Sequence, residues 1–323
     1  MSETESQLKV EFNKVNDTLD IKEGEDTLVI LGRIDCPECT WSEKIIEEVI
    51  DKLKEDKMSV KFSLFFETQF EEMRDKLLQE NLLFLEYASS PIIFINEKKG
   101  GKKIIGSVAQ LLEFLKEKYG YENEHKSEEY QMETKENLKQ FLSKNGNKYV
   151  YFNFEVDNGK NPDDPITDLE PVIFELFSKD LPKTAENFFQ LTVGAYNEND
   201  EKLSYQDTII NRISQGSFLV GGNIPDVIPK SIYNGNFNDE NYNIKHSTYG
   251  ILGMVKKGNR NHTNECQFYI TLSPLKCFDG QFVAFGRVIQ GYDTIKKLAK
   301  IETYLQKPLR KISVKECGEY TIE

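Results

Sequence analysis

The sequence predicts two domains of different class, an α/β domain followed by an antiparallel β barrel or sandwich. Three observations predict it. The chain has 323 residues, about twice the ~150 of a usual domain. Between 27 and 119, short apolar runs alternate with segments whose apolar residues recur every three or four positions, the order of an α/β layer. From 149 onward the pattern changes to short β runs separated by glycine-containing turns.

In the first half, LVILG at 28–32 reads as a strand and CPEC at 36–39 as a turn. Trp41, Ile45, Ile46, Val49, Ile50 and Leu53 then share one helical face. A strand at 59–66, a helix at 68–85, a strand IIFIN at 92–96 after Pro91, a short strand at 103–105 and a helix at 107–119 complete a domain over 1–120. Residues 120–136, GYENEHKSEEYQMETKE, are charged without apolar periodicity and read as a solvated hinge, with His125 at the surface. An amphipathic helix at 137–144 closes a linker over 121–145. The second domain, 146–323, holds strands at 149–156, 171–177, 207–213, 250–255, 267–272 and 282–289 and helices at 183–191 and 291–301.

Composition limits the function. The net charge is -13, and the first 145 residues carry most of it, with 21 Lys and Arg against 31 Asp and Glu. Phosphate backbones and anionic lipids repel such a chain, and the one basic run is KKGGKK at 98–103, so neither nucleic acid nor membrane is an expected partner. The N-terminal MSETESQLKVEFNKVND lacks the pattern of a signal peptide and no apolar run reaches 18 residues, so a cytoplasmic location is expected.

Five cysteines make no disulfide framework, but Cys36 and Cys39 form a close pair of the kind used in redox chemistry or metal binding. Zinc needs four ligands, and His262, Cys266 and Cys277 lie in the other half without a second C-x-x-C, so no metal is expected. A helix N-terminus beside Cys36 would stabilise its thiolate, with Cys39 one turn on. Asp35 and Glu38 flank Cys36 and are expected to oppose that stabilisation.

Residues 26–120 resemble a glutaredoxin-like thioredoxin fold. The resemblance implies that Cys36 is the nucleophile, Cys39 the resolving cysteine, Arg33 a basic residue for glutathione and Pro91 a cis proline. Gly106, Ser107 and Val108 stand where that family has the Gly-Gly-Asp that binds the glutathione carboxylates, so glutathione is not expected and no cofactor is assigned. The domain reads either as a docking module with idle cysteines or as a redox centre.

The blocks FELFSKDLPKTAENF, NRISQGSFLVGGNI, KSIYNGNFNDENY, GILGMVKKG, QFYITLSP and FDGQFVAFGRVIQG, over about 146–320, resemble a cyclophilin. The resemblance implies an eight-stranded antiparallel barrel capped by two helices, with a proline-peptide groove on its outer surface. Rotation about an X-Pro bond faces a barrier near 20 kcal/mol because the C–N bond has partial double-bond character. In that family an arginine hydrogen-bonded to the proline nitrogen weakens the resonance, an apolar pocket holds the ring, and a glutamine orients the peptide. Arg212 matches the arginine, Gln267 the glutamine, and Phe218, Tyr269 and Phe278 the pocket; Phe282 stands for a histidine. Asn211, Ser217, Val220 and Cys277 also depart from the pattern, and Val220 leaves Arg212 without its usual side-chain partner.

EYASSPIIFIN, KKIIGSVAQLLEFL and QFYITL followed by FVAFG carry a further resemblance, to the peptidyl-prolyl isomerase-like protein 6 family. It implies a place in the cilium axoneme among radial-spoke proteins. The function expected is a binding or assembly component with weak or absent isomerase activity. The alternative is an active peptidyl-prolyl isomerase coupled to thiol state through Cys36 and Cys39.

Overall fold

The computed structural model describes the backbone of 11–12 and residues 26–80, 84, 89–157 and 165–321. The chain divides into two compact units, Met1–Phe141 and Leu142–Glu323.

In the first unit, β1 (Glu11–Phe12), β2 (Thr27–Arg33), β3 (Ser59–Phe65), β4 (Ile92–Asn96) and β5 (Lys102–Gly106) form one mixed sheet in the order β1-β3-β2-β4-β5. Strand β2 runs parallel to β3 and antiparallel to β4. Helix α1 (Pro37–Glu55) connects β2 to β3, α2 (Glu67–Glu80) lies between β3 and β4, and α3 (Val108–Tyr119) follows β5. The unbroken apolar run of β2 follows from burial on both faces. Leu28 and Ile30 pack with Ile45, Ile46 and Val49 of α1 and with Leu111 and Leu115 of α3. Val29 and Leu31 pack with Phe70 and Leu77 of α2 and with Phe84. The helix predicted over 68–85 is described only to Glu80; 81–83 and 85–88 lie outside the described residues.

Local chemistry sets the helix ends. Pro37 opens α1, where its missing N–H removes no intrahelical bond. Ser107 precedes α3 and its N–H donates to Gln110 Oε1 at 3.0 Å, while Gly120, at φ 64, ends the helix in the left-handed conformation.

The stretch 120–136 is not a solvated hinge. It contains a helical turn, Ser127–Tyr130, and the start of α4 (Gln131–Asn145), which begins at 131 rather than 137. Tyr121 packs against the α1–α3 core and its hydroxyl donates to Glu48 at 2.7 Å. Thr134 is buried, with its hydroxyl 2.7 Å from that of Thr40 on α1. Two anchors among many charged residues carry no periodic signal, which is why the sequence pattern conceals them. His125 is at the surface, paired with Glu129.

The second unit contains β6 (Lys148–Val156), β7 (Val172–Leu176), α5 (Pro182–Val193), β8 (Ala195–Tyr196), β9 (Lys202–Leu203), β10 (Arg212–Ser214), β11 (Phe218–Gly221), β12 (Ile251–Lys256), β13 (Asn264–Thr271), β14 (Ala284–Gln290), α6 (Tyr292–Ala299), β15 (Thr303–Tyr304), β16 (Lys307–Pro308) and β17 (Ile312–Glu319). Strands β8 and β9 form one small hairpin, and β15 and β16 another. The remaining eight make an antiparallel sheet in the order β10-β11-β13-β12-β14-β7-β6-β17.

The sheet curls until its ends meet. Ahead of β10, Ile210 N–H donates to the Ile312 carbonyl of β17 at 3.0 Å, and Val314 N–H of β17 donates to the Thr208 carbonyl at 2.9 Å. The enclosed core is aromatic: Phe188 of α5 lies 4.9 Å from Tyr205, 5.4 Å from Phe268 and 5.2 Å from Phe285, centroid to centroid. At the tip of the β15–β16 hairpin, Leu305 and Gln306 have φ values of 49 and 66, a region that favours glycine and asparagine.

Candidate functional site

The groove residues named from the sequence come from four places in the second unit. Arg212 opens β10, Phe218 opens β11, Gln267 and Tyr269 lie two apart on β13, and Phe278 and Phe282 flank the turn before β14. A spacing of two puts Gln267 and Tyr269 on one face of the strand.

Arg212 is exposed, with its guanidinium carbon 5.2 Å from the Phe218 ring centroid. It stands opposite Val220 in the β10–β11 register, and valine offers no polar atom. The arginine is nevertheless held, which corrects the expectation drawn from Val220. Its Nε–H donates to Gln306 Oε1 at 2.6 Å, from the tip of the β15–β16 hairpin.

The aromatic residues pack on one another. Centroids lie 5.4 Å apart for Phe218 and Phe278, 5.3 Å for Tyr269 and Phe278, 6.0 Å for Tyr269 and Phe282, and 4.7 Å for Phe278 and Phe282. These are ordinary contacts between neighbouring aromatic rings, and Phe218, Phe278 and Phe282 each remain partly exposed. Gln267 instead lines a neighbouring cleft of about 500 Å³ together with Lys230, Lys256, Lys257 and Glu265.

In the first unit Arg33, Cys36, Cys39 and Pro91 come together at the start of α1. The Ser90–Pro91 peptide is cis. Cys36 Sγ lies 3.5 Å from the Ser90 carbonyl oxygen, Cys39 Sγ lies 3.2 Å from Ser90 Oγ, and Ser90 Oγ accepts Arg33 N–H at 2.8 Å. A side chain at Gly32 would not fit, because its Cβ would stand 2.2 Å from Cys39 Sγ.

Cys36 is acidic, pulled down to about 6 by the hydrogen bond from Cys39, with Ser90 and the N–H groups of Glu38 and Cys39 adding to it against the effect of burial. Burial pushes the Cys39 thiol well up. The opposition expected from Asp35 and Glu38 does not prevail. Asp35 is held by Arg33 through a paired contact, Nε–Oδ1 at 2.9 Å and Nη2–Oδ2 at 2.6 Å, and burial and Glu128 push the Glu38 carboxyl upward. The same contact, with Glu67 at 3.4 Å, commits the Arg33 guanidinium internally. No group of three metal-ligating side chains occurs among the described residues.

Comparison with known proteins decides the family. The family profile described as "Cyclophilin type peptidyl-prolyl cis-trans isomerase/CLD" matches residues 164–319. A protein of Mus musculus named "Probable inactive peptidyl-prolyl cis-trans isomerase-like 6" is 31% identical over 270 residues, covering 82% of this chain and 80% of the mouse protein. The Homo sapiens protein of the same name is 32% identical over 241 residues, 72% of each chain. "Peptidyl-prolyl cis-trans isomerase H" of Mycosarcoma maydis is 37% identical over 149 residues, 45% of this chain and 94% of that one. The chain belongs to the cyclophilin family.

In this cyclophilin the pocket floor is fixed from below by residues the sequence reading did not single out. Tyr269 lies against Gly253, where a Cβ would meet its ring at 2.2 Å. Its hydroxyl is 2.6 Å from His246 Nε2, and His246 Nδ1 is 2.9 Å from Asp279 Oδ1. Burial lowers the His246 pKa although Asp279 opposes it, and burial raises the Tyr269 pKa. The pair is therefore neutral: Nδ1–H donates to Asp279 and the Tyr269 hydroxyl donates to Nε2.

Tyr269→Phe is expected to cost about 1–2 kcal/mol by leaving Nε2 buried and unpaired, measured by amide exchange within the second unit. Because folding lowers the His246 pKa, the unfolded chain takes up a proton below about 6.5 that the folded one refuses. Stability of this unit should therefore fall with pH below that point. A flat profile between pH 7 and 5 in His246→Phe but not in the natural chain would confirm the assignment; equal slopes would refute it.

A second buried pair lies behind the pocket. Lys256 Nζ is 2.9 Å from Asp239 Oδ2 and 5.8 Å from the Phe282 ring centroid. The KK of GMVKKG gave no sign that its first lysine is buried.

Proposed function

We propose that this cyclophilin is a binding and assembly component of the ciliary axoneme, at the radial spoke, with weak or absent peptidyl-prolyl isomerase activity. The observation that carries the reading is the altered proline pocket, where Phe282 stands in place of the family's histidine and packs 4.7 Å from Phe278. Ser217 adds to it, since an aromatic lost at this position removes apolar contact worth about 2–3 kcal/mol, or roughly a hundredfold in rate. The word "inactive" in the names of the mouse and human relatives agrees with it. The ciliary partners rest on the sequence resemblance to the isomerase-like 6 family; neither nucleic acid nor membrane is a partner in this reading.

For the first unit we propose a thioredoxin-like fold acting as a docking module, without glutathione or another cofactor. The sheet order, the thiol pair ahead of α1 and the cis Ser90–Pro91 bond support it. Its acidic surface favours a basic partner.

The full chain should accelerate cis/trans exchange of a tetrapeptide with a central alanyl-prolyl bond roughly a hundredfold less than an ordinary cyclophilin, with Arg212→Ala as the control. An ordinary rate that the mutation abolishes would overturn the proposal, as would absence of the tagged protein from cilia. The second reading, an active isomerase with thiol-redox chemistry, is favoured by two observations: Arg212 keeps a side-chain partner, and Cys36 is acidic.

A further inference from the structure

We infer that Gln306 is the positioning residue for Arg212, holding the guanidinium from the hairpin side in place of the strand neighbour. This rests on the reading of Arg212 as the groove arginine.

The strand neighbour is the place from which Arg212 would be expected to be held. Cross-strand pairs bring Cβ atoms within about 5.5 Å, and the residue paired with Arg212 is Val220, which can neither accept nor donate. An exposed arginine without a partner has many rotamers, and a donor that must be ordered at the moment of use loses most of its electrostatic value. Gln306 removes that freedom. Its Oε1 accepts from Arg212 Nε at 2.6 Å, leaving both terminal nitrogens of the guanidinium for a peptide. The Phe218 ring, 5.2 Å from the guanidinium carbon, supports it from a second side.

The backbone is arranged for this contact. The Gln306 carbonyl accepts Ile213 N–H at 2.8 Å, so the hairpin tip is tied to the strand that carries Arg212. The tip itself is strained: Leu305 at φ 49 and Gln306 at φ 66 occupy the two central positions where hairpins favour asparagine and glycine. Glycine at 306 would relieve the strain and lose the side chain. Keeping a glutamine in an unfavourable conformation, with its carboxamide on the groove arginine, is what a positional requirement looks like.

Gln306→Gly in the full chain separates positioning from folding, because it suits the backbone better and should leave the melting midpoint unchanged or higher. Two readouts are needed. The first is the Arg212 Nε–H resonance in NMR, identified by its loss in Arg212→Ala. It should be sharp and slow to exchange in the natural chain, exchange-broadened in Gln306→Gly, and recovered in the double variant Gln306→Gly, Val220→Gln, which restores a partner from the neighbouring strand. The second is the tetrapeptide exchange rate, whose catalysed part should fall about tenfold in Gln306→Gly and recover in the double variant.

An unchanged Arg212 resonance in Gln306→Gly overturns the inference, even where the peptide is bound and turned over. A lost and rescued resonance sustains it, even where the natural chain gives no measurable catalysis; that combination rejects the groove as an isomerase and leaves Gln306 in its role.

Discussion

Lys256→Met is expected to lower the unfolding free energy of the second unit by about 3 kcal/mol. The lysine and Asp239 side chains are 2% and 1% exposed, so removing one charge strands the other away from water. Lys256 Nζ also contacts the Tyr242 hydroxyl at 3.2 Å and Asn261 Oδ1 at 3.1 Å. Burial raises the Asp239 pKa, but donation from His262 N–H, Asn264 and Tyr242, with Lys256, outweighs it and holds the carboxyl low. Those donors remain in the variant, which keeps the loss near the lower end of the usual range for a broken buried pair, about 3–5 kcal/mol.

The measurement must look at the right unit. The single tryptophan, Trp41, lies in the first unit, so amide exchange along β12 and β13 is the appropriate probe. Adding Asp239→Asn should recover part of the loss. A change below about 1 kcal/mol, typical of an exposed pair, would show that the two charges are solvated.

The second large effect is on thiol chemistry. Alkylation of Cys36 should rise with a midpoint near pH 6, against about 8.5 for a free thiol. At pH 6 the thiolate fraction is then about 150 times that of a free thiol. Lower basicity weakens each thiolate as a nucleophile by roughly thirteenfold at a Brønsted slope of about 0.45, which leaves a net advantage of about tenfold. Cys39 should stay unreactive over the same range, because it is buried and its pKa is raised. Cys39→Ala removes the first cause of the shift and should move the Cys36 midpoint upward. Site-resolved mass spectrometry after pulse labelling reads both, and a Cys36 midpoint at the free value would reduce the pair to spectators.

Much of the fold was legible because it rests on period and punctuation. The run LVILG at 28–32 is apolar without alternation since helices cover both its faces, and the β6 alternation in KYVYFNFEV reports one buried face. Strand β11 was not recognised: it is four residues long and runs into Gly221 and Gly222, where glycine signals a turn. Strand β17 carries lysine and glutamate within it, which masks its alternation.

The site was half legible for a related reason. Residue types and blocks located Arg212, Gln267 and the aromatic pocket, but pairing across the fold was invisible. Val220 correctly announced that a partner was missing, while Gln306, 94 positions away, supplies one from a turn whose Leu-Gln sequence gives no hint of left-handed backbone. Asp35 was legible as a charge and illegible as a neutralised one, because its partner is Arg33 through side-chain geometry that spacing alone does not fix.

The meeting of the sheet's ends bears on how a neighbour can attach. Ile210 and Thr208 occupy backbone groups of β17, and Gln306 occupies the Ile213 N–H of β10. Both outermost strands of the eight-stranded sheet are thus engaged around Ile213 and around Ile312–Val314, and among the described residues those stretches leave no free row of peptide groups for another chain. Recognition by strand addition, which takes affinity from the main chain and is tolerant of sequence, is closed along those stretches. A partner that meets the unit there must be read through side chains, and selectivity then depends on a handful of surface residues rather than on the length of an edge.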